Sequence, residues 1–269
     1  MNKVLKNIIM WTVAILLTLA TVVYQRMTGP THPVRGSVTL ESEEIRYRLI
    51  RSFPMPMDAP IRVKVENENI TGSFIYKRTP SHDDWTTEEM VRKDEYLIAY
   101  IPQQPPAGKV MYQITLQGEE EKVKLTENPI IIRFRGSVPA WAFIPHVIII
   151  FIAMLLSTRA GLAALFKEKT FTLTLWTLIT LIVGGLIFGP IMQKYAFGEW
   201  WTGWPLGTDL TDNKTAVAFL FWAYAMVKVY KNRYHRGWVV AAAVVTLIVF
   251  LIPHSLLGSE IDWTQETIP

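Results

Sequence analysis

Hydrophobic residues recur along this chain in two rhythms. In five stretches they run almost unbroken: Ile8 to Tyr24, Ala140 to Ser157, Phe171 to Met192, Thr215 to Val227 and Trp238 to Pro253. An apolar run of about 17 or more residues with few charges has the length and character of a transmembrane helix. The fourth run is the shortest, and it needs its flanking residues or a thinner bilayer to span. From Thr31 to Pro139 the rhythm changes to alternation. In Ile45-Arg46-Tyr47-Arg48-Leu49 apolar and basic residues take turns, and Val63 and Val65 sit between Arg62, Lys64 and Glu66. Alternation of this kind marks strands with one buried face. The expected strands are Val34–Leu40, Glu44–Ser52, Ile61–Asn67, Ile70–Arg78, Tyr96–Ile101, Val110–Gln117, Glu121–Leu125 and Ile130–Arg135. Turn residues such as Asn67-Glu68-Asn69 and Pro105-Pro106-Ala107-Gly108 separate them. The order predicts a membrane α + β protein in which five transmembrane helices carry a β-sandwich inserted between helices 1 and 2. Its parts are an N-terminal anchor (1–30), the sandwich (31–139) and a four-helix transmembrane domain (140–269) with a loop at 193–214.

Composition agrees with a membrane location. Half of the chain is hydrophobic (50%) and 19% is charged, against about a quarter charged in soluble domains. Cysteine is absent, which excludes disulfides, thiolate metal sites, a thiol nucleophile and covalent c-type haem attachment. The first apolar run follows Lys3 and Lys6 and is followed by Gln25, Arg26 and Met27 rather than by a small-residue cleavage motif, so it reads as an uncleaved signal anchor. Basic residues set the orientation. With the N-terminus inside, the inner segments hold Lys3, Lys6, Arg159, Lys167, Lys169 and the cluster from Lys228 to Arg236, with Glu168 as their one acid. The expected location is the bacterial inner (plasma) membrane, with residues 31–139 and the C-terminus outside. The segment from Thr31 to Pro139 carries 15 basic and 16 acidic residues. That balance argues against a nucleic-acid or anionic-surface role for it.

The stretch from Phe74 to Leu116 resembles bacterial immunoglobulin-like and fibronectin-III-like domains. The residues that carry the likeness are Tyr76-Lys77-Arg78, Trp85, Met90, Tyr96 to Pro102 and Val110 to Ile114. The resemblance implies an Ig-like sandwich. Trp85 and Tyr112 are the large aromatics expected in its core. It implies no activity, because sandwiches host many functions.

Enzyme signatures such as a P-loop, GxGxxG, HExxH or GxSxG are missing from the sequence. His82, beside Asp83 and Asp84, reads as a surface turn before it reads as a metal site. The unusual segment is the loop from Tyr195 to Thr215. Trp200, Trp201 and Trp204 crowd into it, together with Gly198, Gly203 and Gly207 and the polar run Asp209, Thr211, Asp212, Asn213 and Lys214. Interfacial tryptophan is ordinary, but a linker this long is more often a site than a connector. The tripeptide Ile-Pro-His occurs twice, ending in His146 and in His254. Both histidines fall in the outer half of the bilayer, where ionisable groups are costly. The bland alternative is a pair of interfacial polar groups.

Together these features resemble the haem-handling proteins of cytochrome c assembly, which carry a Trp-rich outer loop flanked by two histidines. Trp200, Trp201 and Trp204 match the aromatic part, Asp212-Asn213-Lys214-Thr215 matches its Asp-Pro-Lys-Glu part, and His146 and His254 keep the order. The Pro and Glu are missing, and the helix count is low. The resemblance implies haem as a cofactor. His146 and His254 would then be metal ligands, the three tryptophans a stacking surface, Lys214 a propionate partner, and Asp209 and Asp212 acceptors that orient the ligating rings.

Two hypotheses stand beside each other. In the first the chain is a non-enzymatic envelope protein that docks a protein partner through the sandwich or the transmembrane surface and otherwise touches membrane lipids, with no nucleic acid. The spacing Gly185-x-x-x-Gly189, widened by Gly184, would permit a close helix contact. In the second it handles haem or a metal at the outer interface. Transport has less support, since no pair of interrupted helices is visible.

Overall fold

A computed structural model describes residues 2–253 and 258–265. The chain divides into a helical unit, made of the residues up to Pro30 with Val138–Tyr195 and Glu199–Gly258, and a β-rich unit made of Thr31–Ser137, Ala196–Gly198 and the chain from Ser259 onward.

In the helical unit, α1 covers Lys3–Thr28 and starts at Asn2, whose side chain accepts from the Val4 N–H. Helix α2 covers Ala140–Leu165. The third apolar run forms one continuous helix over Phe171–Phe197. It is divided into α3 (Phe171–Leu181), a π-helical turn (Ile182–Ile187) and α4 (Phe188–Phe197). Helices α5 (Leu210–Lys231) and α6 (Arg236–Leu251) complete the unit. Among the described residues, three helices are long and apolar enough to cross a membrane: α1, α2 and the α3–α4 rod. Helix α6 is apolar but shorter, and α5 carries Asp212, Lys214, Lys228 and Lys231 within its length.

Small residues let the helices approach closely. Ala153, Ala160 and Ala164 of α2 pack with Trp222 and Ala225 of α5 and Ala242 of α6. A Cβ added at Gly161 would lie 2.6 Å from the Ala243 methyl. The fully buried Trp222 donates from Nε1 to Thr246 Oγ1 (2.7 Å), which donates in turn to the Ala242 carbonyl (2.8 Å). At the other end of α2, the buried Arg159 reaches Asn7 of α1 (2.7 Å) and lies 3.5 Å from Glu168, which also pairs with Lys6 (3.3 Å). The N-terminal helix is thus bound into the bundle by a charged contact as well as by apolar packing.

The β-rich unit holds eleven strands among the described residues: β1 Val34–Leu40, β2 Glu43–Leu49, β3 Ser52–Pro54, β4 Ala59–Lys64, β5 Thr71–Arg78, β6 Thr86–Glu89, β7 Val91–Lys93, β8 Tyr96–Ile101, β9 Lys109–Gln117, β10 Lys122–Lys124 and β11 Ile130–Arg135. β1 and β2 form an antiparallel hairpin. A larger sheet runs β3-β11-β9-β5-β6 with β10 on β9, and a third runs β4-β8-β7. The alternation in the sequence places most of these strands, and β1, β8 and β11 have the expected bounds. β6 and β7 were not expected, because Thr-Thr-Glu-Glu carries no apolar alternation and every residue of β6 is exposed. The two strands are one extended segment that changes sheets at the buried Met90, whose sulfur packs on Gly72.

Phe74, Tyr112 and Phe134 anchor the core of this unit, each fully buried. The Tyr112 hydroxyl donates to the Ile50 carbonyl at 2.8 Å, and burial pushes its pKa up. Tyr112 is therefore the core residue expected, but Trp85 is not. Trp85 is 39% exposed, and the Lys77 ammonium lies 5.5 Å from its ring centre. A lone aromatic in a turn-rich stretch has no periodicity to say which way it faces. The structure has a β-rich domain with antiparallel and mixed sheets, and the parallel β3–β11 pair makes the largest of them mixed.

The chain beyond α6 returns to the β-rich unit. Arg133 donates to the Ser259 carbonyl, Lys109 pairs with Glu260, and the Trp263 N–H donates to the Pro80 carbonyl at 3.1 Å. The Arg78 guanidinium stacks over the Trp263 ring at 4.5 Å. Similarly, the Gly136 N–H donates to the Ala196 carbonyl (2.8 Å), and Arg133 lies over the Phe197 ring at 3.7 Å.

Candidate functional site

The loop between α4 and α5 turns at Gly198, which has a φ of +91°. Asp209 closes it as the N-cap of α5, accepting from the Thr211 N–H at 2.7 Å, an arrangement that satisfies a free helix donor. Three residues on, the buried Asp212 points back across the loop. One carboxylate oxygen accepts from the N–H of Thr202 (2.7 Å) and of Gly203 (3.0 Å). Asn213 Oδ1 accepts from the Trp204 N–H at 2.7 Å, and the Thr202 carbonyl accepts from the Asp209 N–H at 2.9 Å. Gln193 of α4 donates to the Thr202 hydroxyl at 2.5 Å.

These contacts account for the glycines. A Cβ at Gly203 would lie 2.6 Å from Asp212 Cβ, and one at Gly207 would lie 2.4 Å from the Thr202 carbonyl oxygen. The side chains of Asp212 and Asn213 at Gly203, and the loop's own backbone at Gly207, come so close that no side chain fits. Lys214, also buried, donates to the Ile252 carbonyl (2.9 Å) and more distantly to that of Pro253 (3.4 Å), beyond the C-terminal end of α6. A cation suits the free carbonyls at a helix C-terminus. The polar run that marked this loop in the sequence is thus engaged in holding the loop and the ends of α5 and α6. The tryptophans are arranged differently. Trp201 donates from Nε1 to the Trp204 carbonyl (3.2 Å), while Trp200 and Trp204 are 55% and 78% exposed.

His146 lies in the second turn of α2, and its Nδ1 is 2.8 Å from the Gly184 carbonyl. The π-helical turn makes that carbonyl available. In an α-helix the Phe188 N–H would take the Gly184 carbonyl, but here it donates to Val183. π-Turns of this kind recur at functional sites. The same turn is wedged between two helices. A Cβ on Gly184 would lie 3.0 Å from Ile149 of α2, and one on Gly185 would lie 2.8 Å from Thr215 of α5. The small residues proposed as a contact face for another helix are therefore used, at Gly184 and Gly185, for packing within this chain. Nothing in the hydropathy pattern signals a π-turn; the paired glycines were the only trace of it.

Among the described residues, the Nε2 of His146 has no hydrogen-bond partner, and no three His, Asp or Glu side chains gather as a metal-binding group. His254 lies outside the described residues. In the β-rich unit, Asp83 next to His82 is held by Arg78 through two contacts of 2.6 and 2.9 Å. That guanidinium keeps the Asp83 carboxyl below its usual pKa. Comparison with family models, with curated proteins and with solved structures returns no match for this chain.

Proposed function

We propose that this chain is a polytopic envelope membrane protein with five spans, its N-terminus inside and its β-rich unit and C-terminus outside, and that it serves as an accessory or assembly component that docks a protein partner. One observation carries the topology. Residues 196–198, after α4, and the chain from 259 onward, after α6, belong to the β-rich unit, which also joins the end of α1 to the start of α2. A folded unit lies on one side of a membrane, so all four of these helix ends face that side. The α2 to α4 and the α5 to α6 segments then each cross and return, and α1 crosses once. The basic residues of the opposite ends fit the cytoplasmic side. Docking is supported by what the outer loop presents: its polar groups are engaged internally, and it offers the exposed rings of Trp200 and Trp204, a residue type enriched where proteins meet.

Cysteine accessibility tests the topology, because the natural chain has no cysteine. Single cysteines at Ser81, Thr202 and Thr264 are expected to react with an impermeant reagent from outside, and one at Asn232 is not. Reaction at Asn232 with protection at Thr202 would overturn the reading. For docking, a photo-crosslinker at Trp204 should give a discrete adduct in cells, and no adduct there or at exposed β-unit positions would count against it.

The arrangement of His146 favours a second reading, a haem- or metal-handling protein. A ligating histidine commonly donates one ring N–H to a backbone carbonyl, which leaves the other nitrogen unprotonated for the metal. His146 would hold a metal or haem iron in this way, and the exposed Trp200 and Trp204 would supply rings for stacking. Lys214, Asp209 and Asp212 fit less well, because their charged groups already serve the loop and the helix ends. Bound haem would supply redox or carrier chemistry, while the chain would bind and orient it. The purified protein should then show a Soret band that is lost in His146→Ala; a colourless, metal-free protein would remove this reading.

A further inference from the structure

The β1–β2 hairpin separates its residues cleanly by face. Val34, Val38, Leu40, Ile45, Tyr47 and Leu49 pack inward on the core. The register places Arg35 opposite Arg48, Ser37 opposite Arg46 and Thr39 opposite Glu44, all on the other face, and all six are exposed. Glu44 is engaged by its strand neighbour Arg46 (3.1 Å). Arg35 and Arg48 make no ion pair among the described residues, and they stand directly across the ladder from each other. Like charges in that position destabilise a sheet. The overall charge balance of the domain conceals this segregation, because acids at the other end of the hairpin are committed to backbone: Glu43 accepts from the N–H groups of Glu66 (2.8 Å) and Asn67 (3.0 Å), and Glu41 accepts from Glu119.

We infer that the outward face of this hairpin docks on anionic phospholipid headgroups, with Arg35 and Arg48 as the paired cations that hold them. Charge complementarity is the first argument. Two guanidiniums at the spacing of a cross-strand pair repel each other when free and share an anionic phosphate or carboxylate well. The second argument is the tether. Only Gly29 to Pro33 lie between the end of α1 and the start of β1, so the chain holds Arg35 within about 24 Å of the end of that span. The exposed Arg26, in the last turn of α1, continues the basic character to the helix end. The inference rests on the topology proposed above, with the β-rich unit outside.

The experiment uses the full chain in vesicles, with a single cysteine at Ser37, on the same face between the arginines and Glu44, and a control cysteine at the exposed Thr87 of β6. Uncharged PEG-maleimide, which does not cross the bilayer, reports accessibility from outside. In vesicles containing phosphatidylglycerol the rate at Ser37 is expected to fall on the order of tenfold relative to phosphatidylcholine, since each basic residue near an anionic surface favours contact by roughly fivefold. The rate at Thr87 should not change. Arg35→Gln with Arg48→Gln should restore labelling at Ser37 without lowering the melting temperature, because it removes a repulsive pair. Equal rates at Ser37 in both lipids, or equal protection in both, would overturn the inference. So would protection by inorganic phosphate in phosphatidylcholine alone, which would assign the pair to a free anion. Failure of Thr87 to react at all would instead refute the topology, so the two failures are distinguishable.

Discussion

Asp212 is the residue on which the order of the Trp-rich loop depends most. Its carboxylate accepts from two backbone N–H groups, of Thr202 and Gly203, at 2.7 and 3.0 Å, and it is 6% exposed. A hydrogen bond to a charged acceptor contributes about 1.5–3 kcal/mol, and a buried donor left without a partner costs a similar amount. In Asp212→Ala both donors lose their acceptor, and a carboxylate that favours the first turn of α5 is also lost, at about 0.3–1 kcal/mol. Thr202 is only partly buried, so water recovers some of this. The net cost to local order is about 3 kcal/mol. Asp212→Asn keeps an acceptor but not its charge, and should cost about 1 kcal/mol. Amide hydrogen exchange of the full chain in detergent reads this locally, since exchange from a loop reports its opening free energy. Exchange at Thr202 and Gly203 should accelerate by about a hundredfold in the Ala variant and by less than tenfold in the Asn variant, at about 1.4 kcal/mol per decade. Exchange in the core strand β9 should be unaffected. If Thr202 and Gly203 exchange at the natural rate in Asp212→Ala, the carboxylate does not hold the loop, and its burial must have another purpose.

The β-rich unit supports three further predictions. Tyr112→Ala removes a fully buried ring and the partner of the Ile50 carbonyl, and should cost about 3–5 kcal/mol; the exposed Trp85→Ala should cost less than about 1 kcal/mol, so thermal melts of the two variants should differ widely. At the tip of the β1–β2 hairpin, Glu41 and Ser42 adopt φ of +49° and +69°, a conformation that costs a side-chain-bearing residue about 1 kcal/mol; Ser42→Gly should therefore raise the melting temperature, whereas Glu41→Gly loses its carboxylate contacts and should not. Arg78 holds the Asp83 carboxyl below its usual pKa, so this pair stabilises the fold above the unfolded carboxyl pKa of about 4 and ceases to do so as pH falls through the lower folded value. The effect is less than about 1 kcal/mol because the pair is partly exposed, and Asp83→Asn should flatten that part of a pH titration of stability; an unchanged titration would show that Asp83 is not its source.

Features that rest on local periodicity are legible without any knowledge of the fold. Unbroken apolar runs need no partner to be recognised, and among the described residues three of the five form helices both long and apolar enough to span. Period-two alternation places β1 to the residue, and short apolar runs bounded by turn residues do the same for β8 and β11. The loop at 193–214 was legible as unusual because its tryptophans, glycines and carboxylates are concentrated there. The remaining features depend on contacts between residues far apart in the chain, which no local pattern records. The strand that crosses from one sheet to the other has an exposed, polar first half, so it leaves no alternation to read. Trp85 is partly exposed beside Lys77, and nothing periodic around it in the sequence says which way it turns. The π-turn that turns the Gly184 carbonyl toward His146 depends on the packing of α2 and α5 around two glycines. The sequence offers Lys214 as a propionate partner and Asp212 as an acceptor for ligating rings; the structure directs one to the end of α6 and the other to the loop backbone, since a buried charge must find the nearest opposite dipole. The basic face of the hairpin was averaged away in a nearly neutral composition, because net charge counts residues and only the strand register says which of them share a surface.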